Sequence, residues 1–205
     1  IGINNDDHVI IYDDKSGMFA SHIWWVFRHL GHENVQLLNG GYAAWQAING
    51  EIEQDIPQVP ARGDISLHES DFELVYLPEI LDFVLGNHNE TLQIIDARGE
   101  ARFAGKMEPL DPIAGHIPSA INYPFERNLT ETGLFKDQAT LHSEWTQFLN
   151  NREPSTLVHQ CGSGISSCHN LFALYYAGFG PTKLYHGSWS EWCADSERPM
   201  VTING

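Results

Sequence analysis

The stretch "TLVHQCGSGISSCHNLFALYYAGF" (residues 156–179) joins three patterns that together indicate the fold class. A short β-branched and apolar run predicts a strand, and a loop rich in glycine and serine follows it. An apolar run that continues to Gly178 then predicts a helix. Cys161 lies where the strand ends and the loop begins, which is where an open parallel α/β sheet usually binds its ligand.

The loop after Cys161 is suited to holding a negative charge. Its two glycines let the backbone curl without clashes at Cβ, so that successive N–H groups can point inward as an anion nest. The N-terminus of the following helix adds partial positive charge at the same place. Both effects favour the thiolate of Cys161 over the thiol and predict a nucleophile. The predicted anion-binding loop consists of Gly162, Ser163, Gly164, Ile165, Ser166 and Ser167.

The same arrangement occurs twice in the chain. Residues 9–45 and residues 157–192 each predict a short apolar strand, a loop, an apolar helix, a second short strand and a helix that bears tryptophan. The turns "GGYAAW" and "GSWSEW" align, and this alignment pairs Asp13 of the first unit with Cys161 of the second. Strands that alternate with helices predict an α/β fold with a parallel sheet flanked by helices.

The pairing of Asp13 with Cys161 indicates whether Cys161 has a chemical or a structural role. If the fold required a small buried thiol at this position, an aspartate would be a poor substitute. We therefore predict a reactive cysteine in the second unit and an inert copy in the first. Cys168 and Cys193 lie in predicted helices beside apolar residues, and we expect both to be core residues.

The second unit has an upstream part that the first unit lacks. It contains a helix that starts near Pro78, the buried strand "LQIIDAR", a short strand after "GHIPSA" and an amphipathic helix in "DQATLHSEWTQFLNN". We therefore predict that residues 1–49 are the C-terminal half of an inactive domain and that residues 71–205 are a complete catalytic domain. Residues 50–70 predict an interdomain linker, because "DIPQVPARGD" breaks any periodicity.

Composition limits the classes of partner. The 205 residues carry 27 Asp and Glu against 11 Lys and Arg, which gives a formal net charge of −16. A surface this acidic argues against nucleic acid and anionic membranes, because both bind through basic patches. No apolar stretch is long enough to span a bilayer and no signal peptide is visible, so we expect a cytoplasmic protein. The chain begins with Ile1 rather than Met, so an upstream segment could be missing.

Two other uses of cysteine fit the sequence poorly. The chain has no C-x-x-C pair for zinc, and three cysteines argue against a disulfide framework. Cysteine-dependent phosphatases and arsenate reductases clamp their substrate with an arginine at the end of the loop, and Ser167 takes that place here. Because no arginine or lysine occurs between Cys161 and Gly180, a phosphate dianion would be poorly neutralised.

The motifs and their order resemble the tandem-domain rhodanese-type sulfurtransferases, which include thiosulfate sulfurtransferase and 3-mercaptopyruvate sulfurtransferase. In the second unit the matching segments are "IIDAR" (94–98), "RFAG" (102–105), "GHIPSAIN" (115–122), "CGSGISSCHN" (161–170) and "YHGSWSEW" (185–192). In the first unit the match is "FASHIWWVFRHLGHENVQLLNGGYAAW" (19–45). The resemblance implies a rhodanese-like fold with one partial inactive domain and one complete catalytic domain.

The resemblance also implies roles for individual residues. Cys161 matches the family cysteine that becomes a persulfide, and Arg102 matches the arginine that binds the anionic end of the substrate. A loop that begins Cys-Gly-Ser-Gly is similar to the mercaptopyruvate branch, which places a serine, here Ser163, beside the catalytic sulfur. That branch usually has a second arginine where this chain has Leu110, so Leu110 departs from the family's grip by two arginines. Arg98 is a further substrate-binding candidate, with structural pairing to a carboxylate as its alternative.

These features predict a sulfurtransferase that works by double displacement. The Cys161 thiolate takes sulfur from thiosulfate or 3-mercaptopyruvate, and cyanide or a thiol then removes it. The loop stabilises the charged sulfur, and no metal or organic cofactor is required. Two alternatives stay open. One is a persulfide carrier that serves a protein partner, which an exposed hydrophobic rim would favour. The other is a catalytically inactive scaffold, which the presence of Cys161 and Arg102 opposes.

Overall fold

Two parallel sheets organise the chain, one in each unit of the repeat. The computed structural model describes residues 2–56, 58, 61–87 and 91–203. The elements of the first unit are β1 (Val9–Ile11), α1 (Met18–His29), β2 (Val35–Leu37) and α2 (Gly41–Ala47). The elements of the second unit are β3 (Leu74–Val75), α3 (Leu77–Val84), β4 (Gln93–Asp96), α4 (Glu100–Phe103), β5 (Ile121–Asn122), α5 (Gln138–Leu149), β6 (Leu157–Gln160), α6 (Ser167–Tyr176), β7 (Lys183–Tyr185) and α7 (Ser188–Trp192). Two 3-10 helices lie at Phe125–Asn128 and Pro154–Thr156.

The larger sheet places β6 at its centre. Its strand order is β3-β7-β6-β4-β5, and all its pairs are parallel. All residues of β6 are buried, and successive side chains point to opposite faces. Leu157 belongs to the core formed with α5 and α6, whereas Val158 belongs to the core formed with α3 and α7. The predicted parallel sheet flanked by helices is therefore confirmed.

The predicted helices of the second unit are present, and one strand was missed. Helix α5 begins after Asp137, whose side chain accepts a hydrogen bond from the Thr140 amide at 3.0 Å, and its apolar stripe is buried. Helix α3 begins beside Pro78, as the sequence predicts. Helix α4 and the two 3-10 helices were not predicted, and neither was β3. Strand β3 is a two-residue strand at the sheet edge, formed by pairing with β7, and such a run is too short to show a periodicity.

The internal repeat is confirmed in the backbone. The Tyr42 amide donates to the carbonyl of Asp13 at 3.0 Å, and the Trp189 amide donates to the carbonyl of Cys161 at the same distance. The residue before each donor has the same left-handed conformation, with φ of 57° at Gly41 and 55° at Ser188. The residue after β6 and the equivalent residue after β1 are therefore held by the same backbone contact.

The two units pack against each other through α1 and α6. Trp24 of α1 and Leu171 of α6 share a buried cluster with residues of β2 and β7. The segment between the units also has contacts with the first unit, since the Asn5 amide donates to the Asp64 side chain at 3.0 Å. In its described part, residues 50–56, 58 and 61–70, this segment has no helix or strand. Pro57 and Pro60, which contribute to the linker prediction, lie outside the described residues.

A buried polar network ties the 3-10 helix at Phe125–Asn128 to α5 and α6. The Asn128 side chain accepts from Trp145 Nε1 at 3.1 Å and donates to Asn170 Oδ1 at 2.7 Å. It also lies 3.2 Å from His169 Nδ1, and His169 Nε2 lies 3.2 Å from the Ser16 carbonyl. Burial is the main cause that lowers the pKa of His169 to about 4. A neutral ring with its proton on Nε2 satisfies both contacts and joins the two units.

We expect Asn128→Ala to lower the free energy of unfolding by about 2–4 kcal/mol, because three buried polar groups lose their contact with the Asn128 side chain. Urea denaturation followed by circular dichroism measures this change. Asn87→Ala, at an exposed position, serves as the control and should change stability by less than about 0.5 kcal/mol. Equal stability of the two variants would contradict a structural role for the network.

Candidate active site

Cys161 follows the last residue of β6 and is only 2% exposed. Its amide donates to the hydroxyl of Ser188 at 3.1 Å, and that hydroxyl donates to the Tyr185 carbonyl at 2.9 Å. The carbonyl of Cys161 accepts from the Trp189 amide at 3.0 Å. The start of α7 therefore fixes the backbone of Cys161 on both sides. Sequence reasoning aligned Ser188 with Gly41 but assigned it no role.

The loop from Gly162 to Ser167 has free amide donors. Within the described part of the chain, none of its six backbone N–H groups donates to an acceptor. Gly164 has a φ of 78°, and a Cβ there would lie 2.6 Å from the His186 carbonyl oxygen, so only glycine fits. The loop is thus tightly curled and rich in unsatisfied donors, as an anion nest requires.

The equivalent loop of the first unit shows what such donors can bind. The carboxylate of Asp13 accepts hydrogen bonds of 2.8–2.9 Å from four backbone amides, those of Lys15, Gly17, Phe19 and Ala20. Burial raises the pKa of Asp13, but these four bonds outweigh burial and leave the pKa below its usual value of 3.8. The first unit therefore carries its own anion where the second unit carries a thiol.

Arg102 lies beside the cysteine loop. Its Nη2 is 3.4 Å from the position that a Cβ would take on Gly162. The same Nη2 donates to Glu108 at 2.7 Å and to Asp111 at 3.1 Å, and Nε also donates to Glu108. Nη1 has no hydrogen-bond acceptor among the residues that the structure describes. Part of this guanidinium is thus available to a ligand, while two carboxylates occupy the rest.

Arg98, a candidate for substrate binding with structural pairing as its alternative, is buried and bound to protein groups. Its side chain is 1% exposed. Nε and Nη2 donate to Asp96, Nη2 donates to the Gly115 carbonyl at 2.7 Å, and Nη1 donates to Glu108 at 3.2 Å. The guanidinium also lies 4.8 Å from the ring centre of Trp189. Each of its nitrogens has a protein partner, so the structure favours the structural alternative.

The other two cysteines are core residues, as predicted. Cys168 is fully buried, and its thiol donates to the Gly164 carbonyl at 3.3 Å. Burial, followed by the nearby Cys161, raises the pKa of Cys168 well above its usual value. Cys193 is 1% exposed, and burial raises its pKa as well. Both changes favour the unreactive thiol form.

A pair of histidines beside the loop was not predicted. His186 covers Gly164, and its ring centre lies 6.1 Å from that of His22 in α1. Burial, followed by repulsion from His186, lowers the pKa of His22. Because His22 belongs to the first unit, the surroundings of the loop include both halves of the chain. A contact of this kind depends on packing and leaves no signal in the sequence pattern.

The structure indicates neither a metal centre nor a membrane-spanning helix. Across residues 2–56, 58, 61–87 and 91–203, no three His, Cys, Asp or Glu side chains are grouped so that they could hold a metal ion. In the same part of the chain, no helix is long and apolar enough to cross a membrane.

Comparison with known proteins defines the class to which this fold and site belong. The sequence model of the rhodanese-like domain matches residues 1–48 and 82–195. The chain belongs to the rhodanese-type sulfurtransferase family. The first match covers the first unit and the second covers the cysteine loop, so both units of the repeat are included.

Individual relatives are similar over most of the chain. It is 41% identical over 208 residues to a probable 3-mercaptopyruvate sulfurtransferase from Pseudomonas aeruginosa, covering 98% of this chain and 70% of that protein. It is 30% identical to rat thiosulfate sulfurtransferase, covering 94% of this chain and 65% of that protein. The crystal structure of SseA from Escherichia coli, which has the rhodanese fold, is 33% identical with a TM-score of 0.72, covering 92% of this chain and 69% of that one.

We expect Asp13→Ala to lower the free energy of unfolding by about 1–2 kcal/mol at neutral pH, because four amides lose their acceptor. The folded-state pKa of Asp13 is depressed, so its contribution is complete above the unfolded value and is lost as pH falls through the lower folded value. Urea denaturation at pH 7 and at several values below pH 3.8 should show the two proteins converging in acid. Asp14→Ala, at an exposed neighbouring carboxylate, is the control, and an equal loss in both variants would contradict the prediction.

Proposed function

We propose that Cys161 carries sulfur as a persulfide between a small anionic donor and a thiophilic acceptor. The proposal is supported chiefly by the free amides of residues 162–167, whose counterparts in the first unit hold a carboxylate. Donors of this kind stabilise a charged sulfur without reorganising during the reaction. We also propose that residues 71–205 form the catalytic domain and that residues 1–49 are an inactive half-domain.

The reaction takes place in two steps. The Cys161 thiolate attacks the outer sulfur of thiosulfate, the S–S bond of the donor breaks, and sulfite leaves with the bonding electron pair. With 3-mercaptopyruvate the C–S bond breaks instead, and the donor's thiol proton ends on the carbon of the product, pyruvate. Cyanide then attacks the outer sulfur of the persulfide, thiocyanate leaves, and the Cys161 thiolate returns. Atoms and charge balance in each step, so no redox partner is needed.

We propose that Arg102 binds the anionic group of the donor, with its free Nη1 as the first contact. The proposal is supported by its position against Gly162 and by a side chain that is 18% exposed, whereas that of Arg98 is 1% exposed. These contacts of Arg102 do not discriminate between thiosulfate and 3-mercaptopyruvate. The Cys-Gly-Ser-Gly loop and the Pseudomonas relative favour 3-mercaptopyruvate. Leu110 stands where a second arginine is expected, and its side chain is 78% exposed.

A second candidate function, sulfur relay to a protein partner, is supported by exposed apolar side chains near Arg102. Met107 is 54% exposed and Leu110 is 78% exposed, on either side of Glu108, which pairs with Arg102. Apolar residues at the rim of a site favour contact with a protein surface.

We further infer a cytoplasmic location, which is supported by three free cysteines.

We expect Cys161→Ser to abolish sulfur transfer from thiosulfate and from 3-mercaptopyruvate to cyanide in a steady-state assay, because serine cannot form the persulfide. Intact mass spectrometry of the wild-type protein after donor treatment should show one added sulfur atom that a reductant removes. Cys168→Ala and Cys193→Ala are the matched controls and should still acquire the added sulfur. Equal sulfur transfer by Cys161→Ser would refute the mechanism.

We expect Arg102→Ala to raise KM for an anionic donor by about tenfold, because it removes a charged contact to the donor. Arg102→Lys should recover part of the loss, since it restores the charge but not the planar geometry. Arg152→Ala, which removes an arginine bound to Gln93 at 2.9 Å, controls for net charge. An unchanged KM in Arg102→Ala would exclude this arginine from the site.

A further inference from the structure

The ionic cluster beside the cysteine loop has one carboxylate in excess. Arg98 pairs with Asp96 and Glu108, and Arg102 pairs with Glu108 and Asp111. Two guanidinium groups therefore face three carboxylates, and the cluster carries a formal charge of −1. Asp96 and Glu108 are 0% and 3% exposed, and each is shared with Arg98. Asp111 is 9% exposed and, among the residues that the structure describes, forms an ion pair with Arg102 alone, so it is the carboxylate that a ligand could replace.

Asp111 is also held in place from the opposite side. Its Oδ1 accepts from the Ser190 hydroxyl at 2.6 Å, and its Oδ2 accepts from Arg102 Nη2 at 3.1 Å. The Ser190 amide donates to the Gly162 carbonyl at 2.9 Å, so the same residue contacts the cysteine loop. Asp111 thus occupies a defined position between Arg102 and α7. Asp111 accepts a hydrogen bond from Arg102 Nη2. A carboxylate or sulfonate would need that same donor, together with Nη1, to bind the guanidinium through two hydrogen bonds.

We propose that Asp111 is an internal counter-ion that competes with the anionic group of the sulfur donor for Arg102 and so determines which donors bind. The proposal rests on the function assigned above. While Asp111 is in place, a donor reaches Arg102 only through Nη1, and its charge is opposed by the unbalanced carboxylate. The opposition is greater for a dianion such as thiosulfate than for the single carboxylate of 3-mercaptopyruvate. Asp111 is therefore a specificity-determining residue that disfavours doubly charged donors.

The test is neutralisation of Asp111 with two donors of different charge. Asp111→Asn should raise kcat/KM by about tenfold for thiosulfate and by about threefold for 3-mercaptopyruvate, because one negative charge next to the donor is removed. The gain should shrink as ionic strength rises, since the effect is electrostatic. Glu53→Gln, at an exposed carboxylate of the linker segment, makes the same change in net charge and should leave both values unaltered.

Direct binding separates failure of this inference from failure of the sulfur-transfer mechanism. Calorimetry with thiosulfate on the Cys161→Ser protein, with and without Asp111→Asn, measures anion affinity without turnover. Tighter binding in the double variant supports the counter-ion role even if Cys161→Ser turns out to transfer sulfur. Unchanged affinity for thiosulfate, or an equal gain in kcat/KM for both donors, overturns the counter-ion role of Asp111 even if Cys161 proves essential. Asp111→Ala provides a second neutral variant in case asparagine disturbs folding.

Discussion

Backbone amides at the end of a parallel strand require an acceptor, and both units of the chain are arranged around that requirement. A buried N–H group without a partner costs free energy, so a loop that presents several of them is a site for negative charge. In the first unit Asp13 supplies that charge permanently through four hydrogen bonds. In the second unit the loop keeps its donors free around a cysteine. The same backbone arrangement therefore holds a carboxylate in one unit and leaves its donors free in the other.

The surrounding contacts hold that loop at a fixed position relative to the ionic cluster. Ser188 and Trp189 fix the backbone of Cys161, and Ser190 connects the next residue to Asp111. Asp111 forms an ion pair with Arg102, and Glu108 forms ion pairs with both Arg102 and Arg98. Buried ion pairs of this kind contribute little net stability, because desolvation offsets most of their attraction. Here the ion pairs act by fixing a position, because they hold the partly exposed guanidinium of Arg102 against Gly162.

Sequence reasoning predicted the features that depend on local pattern. The strand, loop and helix around Cys161, the repeat that pairs it with Asp13, and the buried stripe of α5 all follow from periodicity and short motifs. Two of the partners of Arg98 could not be obtained in this way, because the Glu108 side chain and the Gly115 carbonyl both lie in irregular segments away from Arg98 in the sequence. The positions of His22 and His186 and the link from Ser190 to Asp111 likewise depend on how helices pack after folding.

The overall charge of the chain and the charge of the site act over different distances. A net charge of −16 repels anionic donors in principle, but charges separated by more than about 8 Å are largely screened at physiological ionic strength. Asp111 is in direct hydrogen-bond contact with Arg102, and screening there is much weaker. In the proposed mechanism, a single carboxylate beside the Arg102 guanidinium therefore affects donor binding more than the distant acidic surface does. Because Leu110 contributes no second cation at this position, our proposal makes the balance between Arg102 and Asp111 the main control on how firmly an anionic donor is held.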